Sequence, residues 1–280
     1  MSDHFAAFSF VDRITALEPG VRGRASFDVP DHIAAFPACL VAEAVGQLAA
    51  WIAMAQIDFR GRPVAALATE TLFHGQVQPG SRLELEVEIE SCDDAAVAYG
   101  GAAYVAGARV IELRHCLGPM LPVQEFDAPE AMRARFALLC AAGAPGGRFR
   151  GVAVPELIGL DGVPGKSARA LLQVPQTAPF FADHFPRRPV FPATLLLDSQ
   201  IRMAMDLARA AIGTATQAPV VPQRMTHVKM RSFIAPGQAV ELAAEVVAGE
   251  GAAARTLRLT AESDGRVVAT ARLDVGAEGF

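Results

Sequence analysis

Two long apolar runs stand out among shorter, alternating ones. Ala38 to Gln56 is apolar except for Glu43 and Gln47 inside it, and Ala193 to about Ile212 is apolar at nearly every early position, with Asp198 among them. Runs of that length without alternation predict helices, and their near-continuous apolar character predicts burial all round. Elsewhere the period is two. Residues 8–30 read as a strand, a turn at Glu18-Pro19-Gly20, and a second strand in which Arg24, Ser26 and Asp28 alternate with Ala25, Phe27 and Val29. Residues 63–75 read as a strand, the stretch after Pro79-Gly80 alternates strictly, and a hairpin turns near Ala106-Gly107. One long helix with several antiparallel strands predicts an α+β unit. Asp127-Ala128-Pro129-Glu130 then predicts a helix start, followed by a short helix to about Cys140 and a Gly-rich connector.

Beyond that connector the pattern recurs in the same order. VPGKSARALLQVP (163–175) answers EPGVRGRASFDVP (18–30), FPATLLLDSQIRMA (191–204) answers FPACLVAEAVGQLA (36–49), and IAPGQAVELAAEV (234–246) answers VQPGSRLELEVEI (77–89). Self-similarity in this order predicts two copies of one domain: 1–120, then a linker with a short helix over 121–150, then 151–280. The strand and helix matches differ in spacing. From Pro30 to Pro37 the first copy is ten residues shorter than the second is from Pro175 to Pro192. The missing stretch is where the second copy carries His184; the first keeps its helix acid, Glu43, in line with Asp198.

Composition narrows the class. Of 280 residues, 52% are hydrophobic and 20% charged, which excludes disorder. Mean hydropathy is +0.29. The run from Ala38 contains Glu43 and Gln47 and lacks basic flanks, so it reads as a core helix instead of a membrane span, and MSDHFAAFSF does not read as a signal peptide. Cys39, Cys92, Cys116 and Cys140 form no C-x-x-C pair and no ligand cluster; no metal and no redox cofactor is expected, and reduced thiols imply the cytoplasm. A net charge of −5 argues against nucleic acid.

The chemistry gathers in FFADHFPRRPVFPATLLLDSQIRMA (180–204). Prolines 186, 189 and 192 around His184 predict a stiff loop running into the second helix. A buried acid such as Asp198 must find a partner or shift its pKa. On the residues alone, His184 could be a loop histidine bonded to backbone, and Asp198 could pair with Arg202 four residues on. The ordered motif HFP-x-x-P-x-x-P, followed by a leucine-rich helix with an acid fourteen residues after the histidine, resembles the β-hydroxyacyl-acyl-carrier-protein dehydratases of type II fatty acid synthesis.

That resemblance implies a hotdog fold, an antiparallel sheet wrapped around each long helix, here as a double hotdog forming its pseudo-dimer within one chain. It also implies sites shared between copies, with His184 facing Glu43 and Asp198 facing the shortened first-copy loop in a second, degenerate site. The substrate would lie against Ala193, Thr194 and Pro192, with Phe185 and Gly46 lining the acyl tunnel and Ala38 and Cys39 at the matching start of the first helix. Small residues Ala42, Gly46 and Ala49 would leave room for the chain. Arg187 and Arg188 would meet an acyl carrier protein or acyl-CoA, whose phosphopantetheine arm serves as the handle. His32, in DHIAAFPA, echoes the motif without its Phe-Pro, and could pair with Asp198. His115 reads as structural; His74 and His227 carry no motif, and Lys229 and Arg231 could line the approach or decorate a strand. The expected activity is (3R)-hydroxyacyl-thioester dehydration to a trans-2-enoyl product. A dehydratase-isomerase, a hotdog thioesterase or an inactive acyl-binding scaffold remain open, as does further homo-oligomerisation.

Overall fold

The computed structural model describes residues 6–213, 218–248 and 254–277. The first half runs β1 (Arg13–Glu18), β2 (Arg22–Asp28), α1 (Ala38–Gln56), β3 (Gly61–Pro63), β4 (Leu67–Phe73), β5 (Arg82–Cys92), β6 (Ala96–Val105) and β7 (Ala108–Pro122). A 3-10 turn at Val123–Glu125 and α2 (Pro129–Cys140) follow. The second half runs β8 (Leu157–Val163), β9 (Ser167–Gln173), α3 (Pro179–His184), α4 (Ala193–Ile212), β10 (Val220–Met230), β11 (Ala239–Ala248), β12 (Ala254–Ser263) and β13 (Arg266–Ala277).

The strand order shows the duplication more directly than the sequence does. The sheet reads β1-β2-β5-β6-β7-β4, then β10-β13-β12-β11-β9-β8, with β3 paired to β7 off that path. Each half has the same order reflected about the β4–β10 junction, where antiparallel pairs such as Thr226 with Glu70 and Val228 with Ala68 make one continuous sheet. α1 packs on β2, β5, β6 and β7, α4 on the equivalent strands, and the two helices touch each other. This is the double hotdog. Leu83, Leu85, Val87 and their counterparts Val240, Leu242 and Ala244 turn inward at every second position, so the alternation read from sequence is the sheet burying one face.

α1 lies close enough to its sheet that one strand position admits no side chain. A Cβ on Gly101 would sit 2.6 Å from Val45 Cγ1 and 2.7 Å from the Glu86 carbonyl oxygen. Apolar length alone would allow α1 to span a membrane, but most of it is buried inside the fold.

Three expectations need correction. Residues 8–12 are not strand. Phe8 and Phe10 are buried in irregular backbone, and the amide of Phe10 donates to Gln47 Oε1 (2.8 Å) instead of to a neighbouring strand. His184 does not lie within a loop but ends α3, because Pro179 suits the first turn of a helix and the next five residues contain no breaker. α4 is not buried all round: Asp206 and Arg209 are exposed and pair with each other at 2.9 Å. Its later half is amphipathic, whereas the later half of α1 is covered by α2, where Phe136 stacks on Trp51.

Candidate active site

An apolar cavity of about 240 Å³ opens between α1 and α4, walled by both halves of the chain. From the first half, α1 presents Glu43, Gly46 and Cys39; from the second, His184 and Phe185 close one side and Ala193 and Thr194 begin the opposite helix. Phe185 is buried, and its ring lies 4.0 Å from that of His184. Small residues on α1 do line the space, but they are Ala42, Gly46 and Ala50; Ala49 is fully buried elsewhere in the core. The cavity-facing stripe follows one face of the helix, and Ala49, seven residues on from Ala42, falls just past its edge.

Glu43 is held at both carboxylate oxygens. Gln47 Nε2 donates to Oε1 at 2.9 Å, and Thr194 Oγ1 donates across the interface to Oε2 at 2.8 Å. Burial nonetheless pushes its pKa up, against those donors and the more distant positive charge of Arg62. His184 moves the other way. Loss of water around the ring, assisted by the charge of Arg62, lowers its pKa to about 3, and only an interaction with the Val190 backbone favours protonation. Its Nδ1 is buried without a hydrogen-bond partner among the described residues. The imidazole is therefore neutral at pH 7, the form that accepts a proton.

α4 begins at Pro192, and no side chain caps it. Leu195 and Leu196 donate back to the Pro192 carbonyl at 3.1 Å each, while the amides of Ala193 and Thr194 precede any acceptor the helix could supply. Those two N–H groups stand at the positive end of the helix, beside the cavity. Ala38 opens α1 in the same way after Pro37 but does not line the cavity.

Several contributors had no signature in the sequence. Arg62, on β3, is almost buried in the cavity wall; its Nη2 donates to the His184 carbonyl at 2.7 Å and its guanidinium carbon lies 4.4 Å from the Phe185 ring centroid. Asp183 accepts from the amide of Phe8 at 2.8 Å and from Ser9 Oγ at 3.1 Å, tying α3 to the N-terminal segment. Gln47 Nε2 also reaches the Phe8 carbonyl at 3.0 Å, and Phe8 packs edge-on to His184, with ring centroids 5.1 Å apart. Gln47 was legible as a polar position in an apolar helix; the others were isolated residues whose roles depend on chain distant in sequence.

The remaining candidates sit apart from the cavity. Asp198 pairs with Arg202 at 3.3 Å, and Arg202 also donates to the Pro155 carbonyl at 2.9 Å. Asp198 does not line the cavity, although its charge reaches the buried Cys39, whose thiol is pushed well up chiefly by desolvation. His32 is about half exposed, 3.9 Å from Asp31, beside a separate surface recess with Arg148 and Arg150. Arg187 and Arg188 are exposed. They bond to the Gln124 carbonyl (3.2 Å) and to Glu125 (2.7 Å), and Arg188 lies 4.7 Å from the ring of Phe233, a cavity-lining residue. His115 pairs with Glu90 at 3.0 Å, His74 with Glu112 at 3.7 Å, and His227 contacts Thr226 at 3.0 Å. Among the described residues no three His, Cys, Asp or Glu side chains cluster to hold a metal ion.

Comparison with known families matches both halves. Residues 31–114 match a FabA-like domain, and residues 162–271 match the ApeI dehydratase family. Both halves thus match dehydratase families, and the chain is similar to hydroxyacyl-acyl-carrier-protein dehydratases. Similar proteins include the 3-hydroxyacyl-acyl-carrier-protein dehydratases FabZ of Rickettsia bellii and Rickettsia rickettsii, each 26% identical over 99 residues, covering 35% of this chain and 67% of the relative. Solved structures share the double fold over nearly the whole chain. The tesB protein of Mycobacterium avium subsp. paratuberculosis matches with a TM-score of 0.58 at 12% identity, covering 94% of this chain and 95% of its own. An oleoyl thioesterase of Lactobacillus plantarum matches at 0.59 and 9% identity, covering 92% and 97%. At such identities the likeness shows the architecture alone.

Proposed function

We propose that the protein is a (3R)-3-hydroxyacyl-thioester dehydratase that acts on carrier-protein-bound acyl chains in the cytoplasm and needs no cofactor beyond the phosphopantetheine arm of its substrate. One observation carries the reading: His184 of the second half and Glu43 of the first line the same apolar cavity, and Glu43 is hydrogen-bonded to Thr194 at the start of α4. Dehydration needs a base for the α-proton and an acid for the departing hydroxyl. Neutral His184 takes the α-proton, and the electron pair of that bond becomes the carbon–carbon double bond as the C–O bond breaks. Glu43, whose burial favours the protonated form, gives its proton to the hydroxyl, which leaves as water. The donors from Gln47 and Thr194 then stabilise the carboxylate that remains. The amides of Ala193 and Thr194 hold the thioester oxygen as it gains negative charge. Transfer of the proton from His184 to Glu43 through solvent resets the site.

The two copies, taken as 1–120 and 151–280, then form one competent site. The Asp198 side, where the acid is engaged by Arg202, is inactive. Arg187 and Arg188, beside the cavity mouth at Phe233, are suited to an acidic carrier protein or a phosphate. The test is one incubation with a hydroxyacyl thioester, following enoyl absorbance and free thiol together. Dehydration gives absorbance without thiol; thiol release would identify a thioesterase instead. Glu43→Gln and His184→Ala are expected to lower kcat by at least about a hundredfold, and Asp198→Asn to leave it within about twofold. Full activity in Glu43→Gln would end the proposal.

A further inference from the structure

Arg62 is a basic side chain from the first half that reaches the His184 segment of the second. It stands on β3, a three-residue strand hydrogen-bonded to β7, with Arg62 opposite Leu121. Among the described residues the sheet order shows no matching strand in the second half. The guanidinium makes three contacts of different kinds. It donates to the His184 carbonyl at 2.7 Å, lies 4.4 Å from the Phe185 ring centroid, and stands 3.6 Å from Asp127. A planar fork with a weakly hydrated face is suited to bonding and stacking at once.

We propose that Arg62 is the positioning residue of this site, a clamp from the first half that fixes the end of α3 and so aims the His184 imidazole into the cavity. The inference rests on the dehydratase reading for its kinetic arm, but not for its titration arm. His184 ends a helix of only six residues, and its ring Nδ1 has no partner among the described residues. What holds the residue is its packing between Phe8 and Phe185, the interaction of its ring with the Val190 backbone, and the bond from Arg62 to its carbonyl. Breaking that bond frees the carbonyl, and a shift of about 1 Å at a reacting group can cost roughly a hundredfold in rate. The same positive charge also favours a neutral imidazole.

Charge and geometry can be separated by two variants. Arg62→Met keeps an unbranched apolar stem and removes both; Arg62→Lys keeps the charge and removes the fork. Neither leaves Asp127 without a partner, because Arg135 pairs with it at 3.1 Å. In the full chain we expect Arg62→Met to lower kcat roughly ten- to hundredfold with KM changed less than about threefold. The His184 imidazole, followed by NMR on histidine-labelled protein, should titrate closer to its ordinary value. Arg62→Lys should restore the wild-type titration but not the rate. Wild-type kcat in both variants would overturn the clamp. So would a loss of rate in Arg62→Met that lysine fully rescues, which would make charge alone responsible. If the wild-type protein forms no enoyl product, the functional reading fails. The clamp is then judged by His184 ring relaxation: greater ring mobility in both variants supports it, and unchanged mobility overturns it.

Discussion

At the scale of single residues, burial sets the protonation states on which the site depends, and it does so in opposite directions for its two groups. Removing water disfavours whichever form is charged, so His184 is held neutral while Glu43 is pushed toward its acid form. Stability should follow. Between pH 6.5 and about 3 the unfolded chain binds a proton at His184 that the folded chain refuses, so this group's contribution is full above pH 6.5 and declines as pH falls. Carboxyls with raised values, such as Asp12 at about 6, act oppositely, since the folded chain holds a proton that the unfolded chain releases. Comparing urea unfolding of the wild type with His184→Asn cancels those carboxyl terms. Below pH 6.5 the wild type should lose stability relative to the variant by about 1.4 kcal/mol per pH unit. A difference independent of pH would show that His184 titrates normally in the folded state.

At the scale of elements, α1 has two jobs that conflict. One face must approach the sheet closely, as Gly101 against Val45 shows, and another must leave the cavity open. Gly46 serves the second. A Cβ there meets only the Tyr99 hydroxyl, at 3.3 Å, so a larger side chain is directed into the cavity. Gly46→Leu is expected to shorten the acyl chain accepted, with long-chain thioesters losing at least about tenfold in kcat/KM relative to short ones. An unchanged chain-length profile would place the acyl chain elsewhere. The Pro179 start of α3 and the start of α4, which no side chain caps, are the other element-scale features, and together they bring His184 and the first two residues of α4 to one cavity.

At the scale of the whole molecule, the β4–β10 junction makes the halves one body. Backbone pairing crosses it, and one apolar cluster includes Leu48 and Ile52 of α1 together with Leu196 and Met203 of α4. Unfolding should therefore be a single transition. Fluorescence of Trp51, the sole tryptophan, reports the first half, whereas far-ultraviolet circular dichroism reports both. Coincident midpoints are expected; separated ones would mean that the halves unfold independently.

Much of this was legible from the chain alone. The helices Ala38–Gln56 and Ala193–Ile212 fall where the apolar runs placed them, the tandem copies are visible as matched Pro-Gly turns and helix starts, and His184, Glu43 and Asp198 are each exceptional in their local pattern. These features are local: periodicity, proline geometry and an acid in an apolar helix are fixed by neighbours in sequence. Which acid shares a cavity with the histidine is not local. Tertiary packing placed Glu43 beside Thr194, brought Arg62 across the interface to His184, and folded Phe8 and Ser9 back onto α3. Such contacts join residues far apart in the chain, and their energies depend on how completely the folded halves exclude water, which no stretch of sequence encodes by itself.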